Sequence, residues 1–175
     1  MGLVIDSFAG GGGASEGIEV FGIGRSVKTG PFWNVPKDFR YWVLHLVNQL
    51  PEVMKIVELV RPEVIVNFAA QGEGAASFGA NAPDFFETNL RGLARLVLGV
   101  QGKCQRFIQI GSSEVYGSVK EPAAEATCLR PTSPYSISKA AFDQYLEIMF
   151  RTQAFPMNIV RPSNCYVEGQ QLYRI

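Results

Sequence analysis

The sequence predicts an α/β protein built on a doubly wound parallel sheet in three layers. Short β-branched runs alternate with segments of helical periodicity, the pattern of strands joined by crossover helices. Polar and glycine-rich stretches follow the ends of those runs, where open parallel sheets bind ligands. The first strand-helix-strand unit, however, is abbreviated. If "VFGIG" (residues 20–24) is the second strand, only residues 14–19 separate it from the glycines of "AGGGG", whereas a parallel crossover needs about 10–12 residues or more.

"GLVID" and "VFGIG" are short apolar strands, and a loop rich in Gly, Pro and aromatics follows from residue 28 to 39. "YWVLHL" reads as a third strand. "PEVMKIVELVR" opens with Pro51 at a favourable first helical position and sets Val53, Ile56, Val57 and Val60 on one face. "EVIVNFAA" is a nearly continuous apolar run, as in a central strand covered on both faces. "DFFETNLRGLARLVLGV" is helical, and "RFIQIGSSEVYG" is a buried strand running into a polar loop. "SPYSISKAAFDQYLEIMFRTQ" is helical with Ser133 as N-cap, and "MNIVRPSN" supplies the last strand. No repeat, low-complexity tract or linker divides the chain, so residues 1–175 are expected to form one domain.

Composition narrows the functional classes. With 47% hydrophobic and 18% charged residues the chain can bury a core of its own. Lys+Arg and Asp+Glu both number 16, without runs of like charge, which leaves no electrostatic footprint for nucleic acid or an anionic membrane. No apolar run reaches the length of a membrane span, and the N-terminus lacks the order of a signal peptide. Cys104, Cys128 and Cys165 have no metal-ligand spacing and suit a reducing cytosol, so no metal site is expected.

Two constellations carry chemistry. In "PYSISK", Tyr135 and Lys139 stand at i and i+4 on one helix face, so the ammonium can favour the phenolate and make tyrosine a base near neutral pH. A lone Tyr-x-x-x-Lys is common by chance; its context raises it. "IGSSEVYG" ends a buried strand in Ser112, Ser113 and Glu114, one helix upstream of the pair.

From about residue 20 onward the chain resembles the extended short-chain dehydrogenase/reductase family, specifically its NAD(P)-dependent nucleotide-sugar epimerases and dehydratases. The resemblance rests on "VIVNFAAQ", "ETNLRG", "GSSEVYG", "SPYSISKAAFDQY" and "RPSNCY", in the family's order and spacing. It implies a Rossmann-like fold. It also implies that Tyr135 removes the sugar 4-hydroxyl proton, that Lys139 holds the nicotinamide ribose and tunes the tyrosine, and that Ser112 hydrogen-bonds the same sugar oxygen. Ala69, Ala70 and Asn89 would lie near the cofactor or support its strand ends, Pro162 and Ser163 near the nicotinamide, and Asn164 and Ser113 on the substrate side. A glutamate at the place of Glu114 serves the family's dehydratases as the base for the C5 proton. Ser113 before it is similar to the GDP-mannose dehydratase pattern, whereas dTDP-glucose dehydratases carry an aspartate there. A nucleotide-sugar 4,6-dehydratase is the leading ancestry, with UDP-glucuronate decarboxylase or a nucleotide-sugar epimerase as alternative.

The cofactor signals are mixed. After the second strand, "GIGRS" offers Arg25 where an acidic residue would hold a ribose 2′-hydroxyl, which favours NADP over NAD. His45 replaces the family's usual Asp near the adenine. Gly10 and Gly13 satisfy the first spacing of the family's glycine fingerprint, but Glu16 occupies the third place. Instead, "DSFAGGGGASEGIE" resembles the S-adenosylmethionine motif of DNA cytosine-5 methyltransferases, although the Pro-Cys pair of that family is missing. At the other end the resemblance stops at "VEGQQLYRI", with Gln170 and Gln171 just before the region that builds the sugar-nucleotide pocket, so a truncated substrate domain is expected. Three functions therefore stand: an active or vestigial dehydratase, a non-catalytic dinucleotide-binding or interaction module, and, ranked last, an S-adenosylmethionine-binding fragment. The family often pairs through helices such as residues 84–100 or 136–153, so a homodimer is expected.

Overall fold

The computed structural model describes residues 2–5, 19–26, 39–72 and 74–163; Gly10, Gly13, Asn164, Gln170, Gln171 and the methyltransferase-like stretch lie outside them. Six strands form a single parallel sheet: β1 (Gly2–Ile5), β2 (Val20–Gly24), β3 (Arg40–Val43), β4 (Val64–Asn67), β5 (Arg106–Ile110) and β6 (Met157–Val160). Their spatial order is β3-β2-β1-β4-β5-β6. The chain moves outward from β1 to β3, then returns to the other side of β1 and moves outward again, which is the doubly wound, Rossmann-like order. Because parallel crossovers are right-handed, the reversal at β1 opens a crevice at the strand C-termini, beside β1 and β4.

Four α-helices are described: α1 (Leu50–Val60), α2 (Ala82–Phe86), α3 (Leu93–Val100) and α4 (Pro134–Gln153). They pack as neighbours, α1 on α3 and α3 on α4. Helix α1 buries Leu50, Val53, Val57 and Val60 against the sheet, while Ile56 is only half-buried. These side chains join Leu3, Ile23, Ile65, Phe107, Leu96, Val97 and Phe142 in one core. Fully burying one such aliphatic or aromatic side chain is worth about 1.5–3 kcal/mol.

Two elements depart from the sequence expectation. The third strand stops at Val43, because the backbone turns there: His45 N–H donates to Gln49 Oε1 at 2.9 Å and Gln49 N–H to the His45 carbonyl at 2.8 Å. The stretch from Ala82 to Val100 is not uniformly α-helical. A π-helical segment, Glu87–Gly92, joins α2 to α3. Such wide turns recur at functional sites. This one carries Asn89.

Helix α4 starts as expected. The Ser133 hydroxyl accepts from the Ser136 N–H at 3.1 Å, and the Ser136 hydroxyl accepts from the Ser133 N–H at 3.0 Å, a reciprocal capping box. That cap fixes the first turn, and with it the placement of Tyr135.

Candidate functional site

The described candidate residues gather at the C-terminal ends of the strands. Arg25 follows β2, Ala69 and Ala70 follow β4, Ser112 to Glu114 follow β5, and Pro162 and Ser163 follow β6. A cavity of about 50 Å³ opens between the ends of β2, β3 and β4, lined by Gly24, Arg25, His45, Ala70, Gln71 and Thr88 among others. It brings Arg25 and His45, read separately in the sequence, onto one hollow beside Ala69 and Ala70.

Asn89 holds the rim of that hollow. Its Oδ1 accepts from the Gln71 N–H at 2.7 Å, and its Nδ2 donates to the Gln71 carbonyl at 3.0 Å and to Ser138 Oγ at 3.0 Å. One buried amide thus satisfies both backbone groups of Gln71 and ties the loop after β4 to α4.

Beyond β5 the chain enters a short 3₁₀ turn, Ser113–Tyr116, capped by Ser112, whose Oγ accepts from the Glu114 N–H at 3.2 Å. Gly117 ends the turn at φ 68°, and a Cβ there would run into the Arg130 carbonyl. Gly117→Ala is therefore expected to be destabilising by more than the ~1 kcal/mol of a positive φ alone, since the Arg130 backbone must also yield. Urea unfolding would show the loss.

Ser112 stands near enough to Tyr135 for its hydroxyl to favour the phenolate. Phe85 meets the Tyr135 ring edge-on, with centroids 6.3 Å apart. Lys139 is buried, and its Nζ donates to the Ile110 carbonyl at 2.7 Å, at the end of β5 and two residues before Ser112. Ser112 and the start of α4 with Tyr135 thus lie side by side, and Lys139, one turn further along α4, reaches the end of β5. Glu114 lies exposed on the same turn, with its carboxylate against Gly74, where a Cβ would stand only 2.8 Å from Oε2.

The electrostatics correct one expectation. Lys139 was expected to lower the Tyr135 pKa, yet the phenol is pushed up, first by burial and then by the Glu114 and Asp143 carboxylates, with only the nearby Ser112 hydroxyl acting against them. The ammonium is engaged by the Ile110 carbonyl instead. Burial also brings the Lys139 pKa down to about 8, with Asp143 acting in the opposite direction.

Sequence reasoning missed a second layer of polar side chains beneath these groups. Asn67 Nδ2 donates to Gln109 Oε1 at 2.7 Å, and Gln109 Nε2 donates to the Ile110 carbonyl, also at 2.7 Å. The Asn67 Oδ1 accepts from the Ala69 N–H at 3.2 Å. A buried chain of hydrogen bonds therefore runs from the loop after β4 to the carbonyl that receives Lys139. The signal was present as amides inside otherwise apolar strands, "VIVN" and "RFIQI", at positions buried in the sheet.

A doubly wound sheet whose strand ends hold this Ser, Tyr and Lys junction beside a strand-end cavity defines a Rossmann-like protein of the short-chain dehydrogenase/reductase kind. The chain belongs to the NAD dependent epimerase/dehydratase family, which it matches over residues 14–174. It is 34% identical over 124 residues to the dTDP-D-glucose 4,6-dehydratase of Mus musculus, a match covering 70% of this chain and 33% of that protein. It is 34% identical over 96 residues to GDP-mannose 4,6 dehydratase 2 of Arabidopsis thaliana, covering 51% of this chain and 25% of that protein. Among solved structures, the UDP-glucose 4-epimerase of Thermus thermophilus in complex with NAD superposes with a TM-score of 0.82 at 26% identity, covering 98% of this chain and 58% of that one. The dTDP-glucose 4,6-dehydratase of Streptomyces venezuelae, solved with NAD bound, gives 0.77 at 25% identity, covering 97% of this chain and 58% of that one. The chain thus spans a third or less of these curated relatives' length. Among the described residues no helix is long and apolar enough to cross a membrane, and no group of three or more His, Cys, Asp or Glu could hold a metal ion.

Proposed function

We propose that the chain carries the dinucleotide-binding half and the acid-base groups of a nucleotide-sugar 4,6-dehydratase, with NADP preferred over NAD. The observation that carries this reading is Glu114 on the turn that also presents Ser112 to Tyr135. An epimerase acting at C4 needs no such carboxylate. The residues present suit a dinucleotide: the hollow holds Arg25 and His45, and Lys139 stands outside it at the end of β5. A bound nicotinamide would supply hydride acceptance and return.

The protein's own groups would divide the remaining work. Ser112 holds the sugar 4-oxygen while Tyr135 takes its proton. Because the phenol is pushed up, that transfer depends on a positive charge nearby. Lys139, with its pKa near 8, remains mostly protonated at neutral pH. Glu114, exposed and acceptor-only when ionised, takes the C5 proton. Ser113 and Asn164 are assigned to the sugar side, and Pro162 and Ser163 to the nicotinamide side. The Ser113 N–H donates to the Pro162 carbonyl at 3.0 Å, so the two sides are tied together. A homodimer paired through a helix such as residues 84–100 or 136–153 belongs to the same proposal.

Two experiments test it. Arg25→Ala should erase a preference for NADP that a charge-assisted contact makes worth roughly 1.5–3 kcal/mol, or about tenfold to a hundredfold in affinity. Equal affinities of the unaltered protein for NADP and NAD would remove that part of the reading. Turnover is the second. The chain covers 58% of the solved chains it resembles, and a misplacement of the sugar by about 1 Å can cost ~10²-fold. The 175-residue polypeptide, incubated with NADP or NAD and GDP-mannose or dTDP-glucose, is expected to yield negligible 4-keto-6-deoxy product. Turnover abolished by Tyr135→Phe would show that more of the site is assembled than this reading allows.

A further inference from the structure

Behind the Tyr135 and Lys139 pair lies a charged cluster that none of the proposed chemistry uses. Asp143, one helical turn beyond Lys139, is fully buried. Its Oδ2 accepts from Arg161 Nε at 2.7 Å, and its Oδ1 is buried with no hydrogen-bond donor among the described residues. Arg161 stands at the end of β6, immediately before Pro162. Its Nη1 donates to the Tyr116 hydroxyl at 3.0 Å, its guanidinium carbon lies 5.4 Å from the centroid of the same ring, and its Nη2 approaches Glu147 at 3.6 Å. The packing between them is close. A Cβ on Gly111 would stand 3.2 Å from Arg161 Cγ and from the Val160 carbonyl, and 3.5 Å from Asp143 Oδ1.

We infer that Asp143 is a positioning residue: through Arg161 it locks α4, the turn after β5 and the end of β6 into one frame, and its carboxylate supplies the counter-charge that keeps Lys139 cationic. The three segments it joins carry Tyr135 and Lys139, Ser112 and Glu114, and Pro162 and Ser163 respectively. A buried ammonium is held charged either by carbonyl dipoles or by a nearby anion. Lys139 has one of each, the Ile110 carbonyl and Asp143. Burial pushes the Asp143 carboxyl up, while Arg161 and Lys139 hold it down against that. Among the described residues, the other ionisable groups around this pair are Tyr135 and Glu147 on α4, Glu114 beside Tyr135, and Tyr116 beside Arg161. The role assigned to Lys139 rests on the proposed function; its electrostatic coupling to Asp143 does not.

The test uses the full chain, labelled at lysine and aspartate, with Lys139 followed by NMR from pH 6 to 10 and its signal assigned by its loss in Lys139→Arg. The unaltered protein should titrate near 8. Asp143→Asn, which keeps the shape and removes the charge, should lower that midpoint by about one pH unit or more. At pH 7.5 it should also weaken NADP binding several-fold, and the deficit should close at pH 6, where Lys139 is protonated in both proteins. A deficit of equal size at both pH values, or an unmoved Lys139 midpoint, would overturn the inference. Should Asp143→Asn fail to fold, the unaltered protein still decides: the Asp143 carboxyl carbon must respond at the Lys139 midpoint, and a flat response there would overturn the coupling. Failure of the unaltered protein to bind either dinucleotide would instead overturn the proposed function, leaving the coupling to be judged on the NMR alone.

Discussion

Arg161→Ala is expected to lower the unfolding free energy by about 3–5 kcal/mol, the loss found when one partner of a buried ion pair is removed and the other is left uncompensated. Asp143 has no exposure, so its carboxylate cannot turn to solvent, and one of its oxygens already lacks a donor among the described residues. The Tyr116 hydroxyl loses its partner in the same change. The pH dependence has a defined sign. Without Arg161, burial pushes the Asp143 carboxyl further up, so the folded state binds a proton more readily than the unfolded state above the ordinary carboxylate range. Stability then falls as pH rises through that window, and the deficit shrinks on acidification. Urea melts of both proteins at acidic and neutral pH would show a gap that narrows at the lower pH. A constant gap would mean that lost packing, not stranded charge, accounts for the change.

Asn89→Ala is expected to cost roughly 2–4 kcal/mol, since each buried donor or acceptor left unsatisfied costs about 1–3 kcal/mol. The substitution strands the Gln71 N–H and carbonyl, both on the loop after β4, and removes the tie to Ser138. The local effect separates this from general loosening. The Gln71 amide should exchange with solvent far faster than amides of β4 itself, whose ladders to β1 and β5 are untouched. The rim of the Arg25 and His45 hollow should loosen with it, and dinucleotide affinity should fall. Uniform acceleration of exchange across the sheet would contradict the assignment of Asn89 to that loop.

The legible parts of this molecule were those written in local pattern. "VFGIG" and "RFIQI" read as strands because they are short, mostly apolar runs bounded by polar stretches, and they correspond to β2 and β5 respectively. Ser133 read as a cap because a hydroxyl before a proline-led helix has orphan N–H groups to satisfy, and it caps α4. Tyr135 and Lys139 were legible as a pair because i and i+4 share a helix face. Their electrostatics were not legible, because what sets them comes from elsewhere in the fold: the Ile110 carbonyl from β5, Glu114 from the following turn, and burial from Phe85 and the core. The π-helical segment was hidden for a related reason. "DFFETNLRGLARLVLGV" keeps its apolar period through Glu87–Gly92, so only the long-range bonds of Asn89 to Gln71 and Ser138 mark the widened turn. The segment Ala75–Phe78, a 3₁₀ turn rich in small residues, has no periodicity to betray it.

The strand-end site is proposed to accept a nicotinamide dinucleotide. The most direct measurement is a calorimetric titration of the unaltered chain with NADP, NAD and S-adenosylmethionine side by side, repeated on Lys139→Met. NADP should bind, NAD more weakly and S-adenosylmethionine not at all, and Lys139→Met should lose NADP affinity. Binding of S-adenosylmethionine with no response to either dinucleotide, or NADP binding that Lys139→Met leaves unchanged, would contradict the proposal.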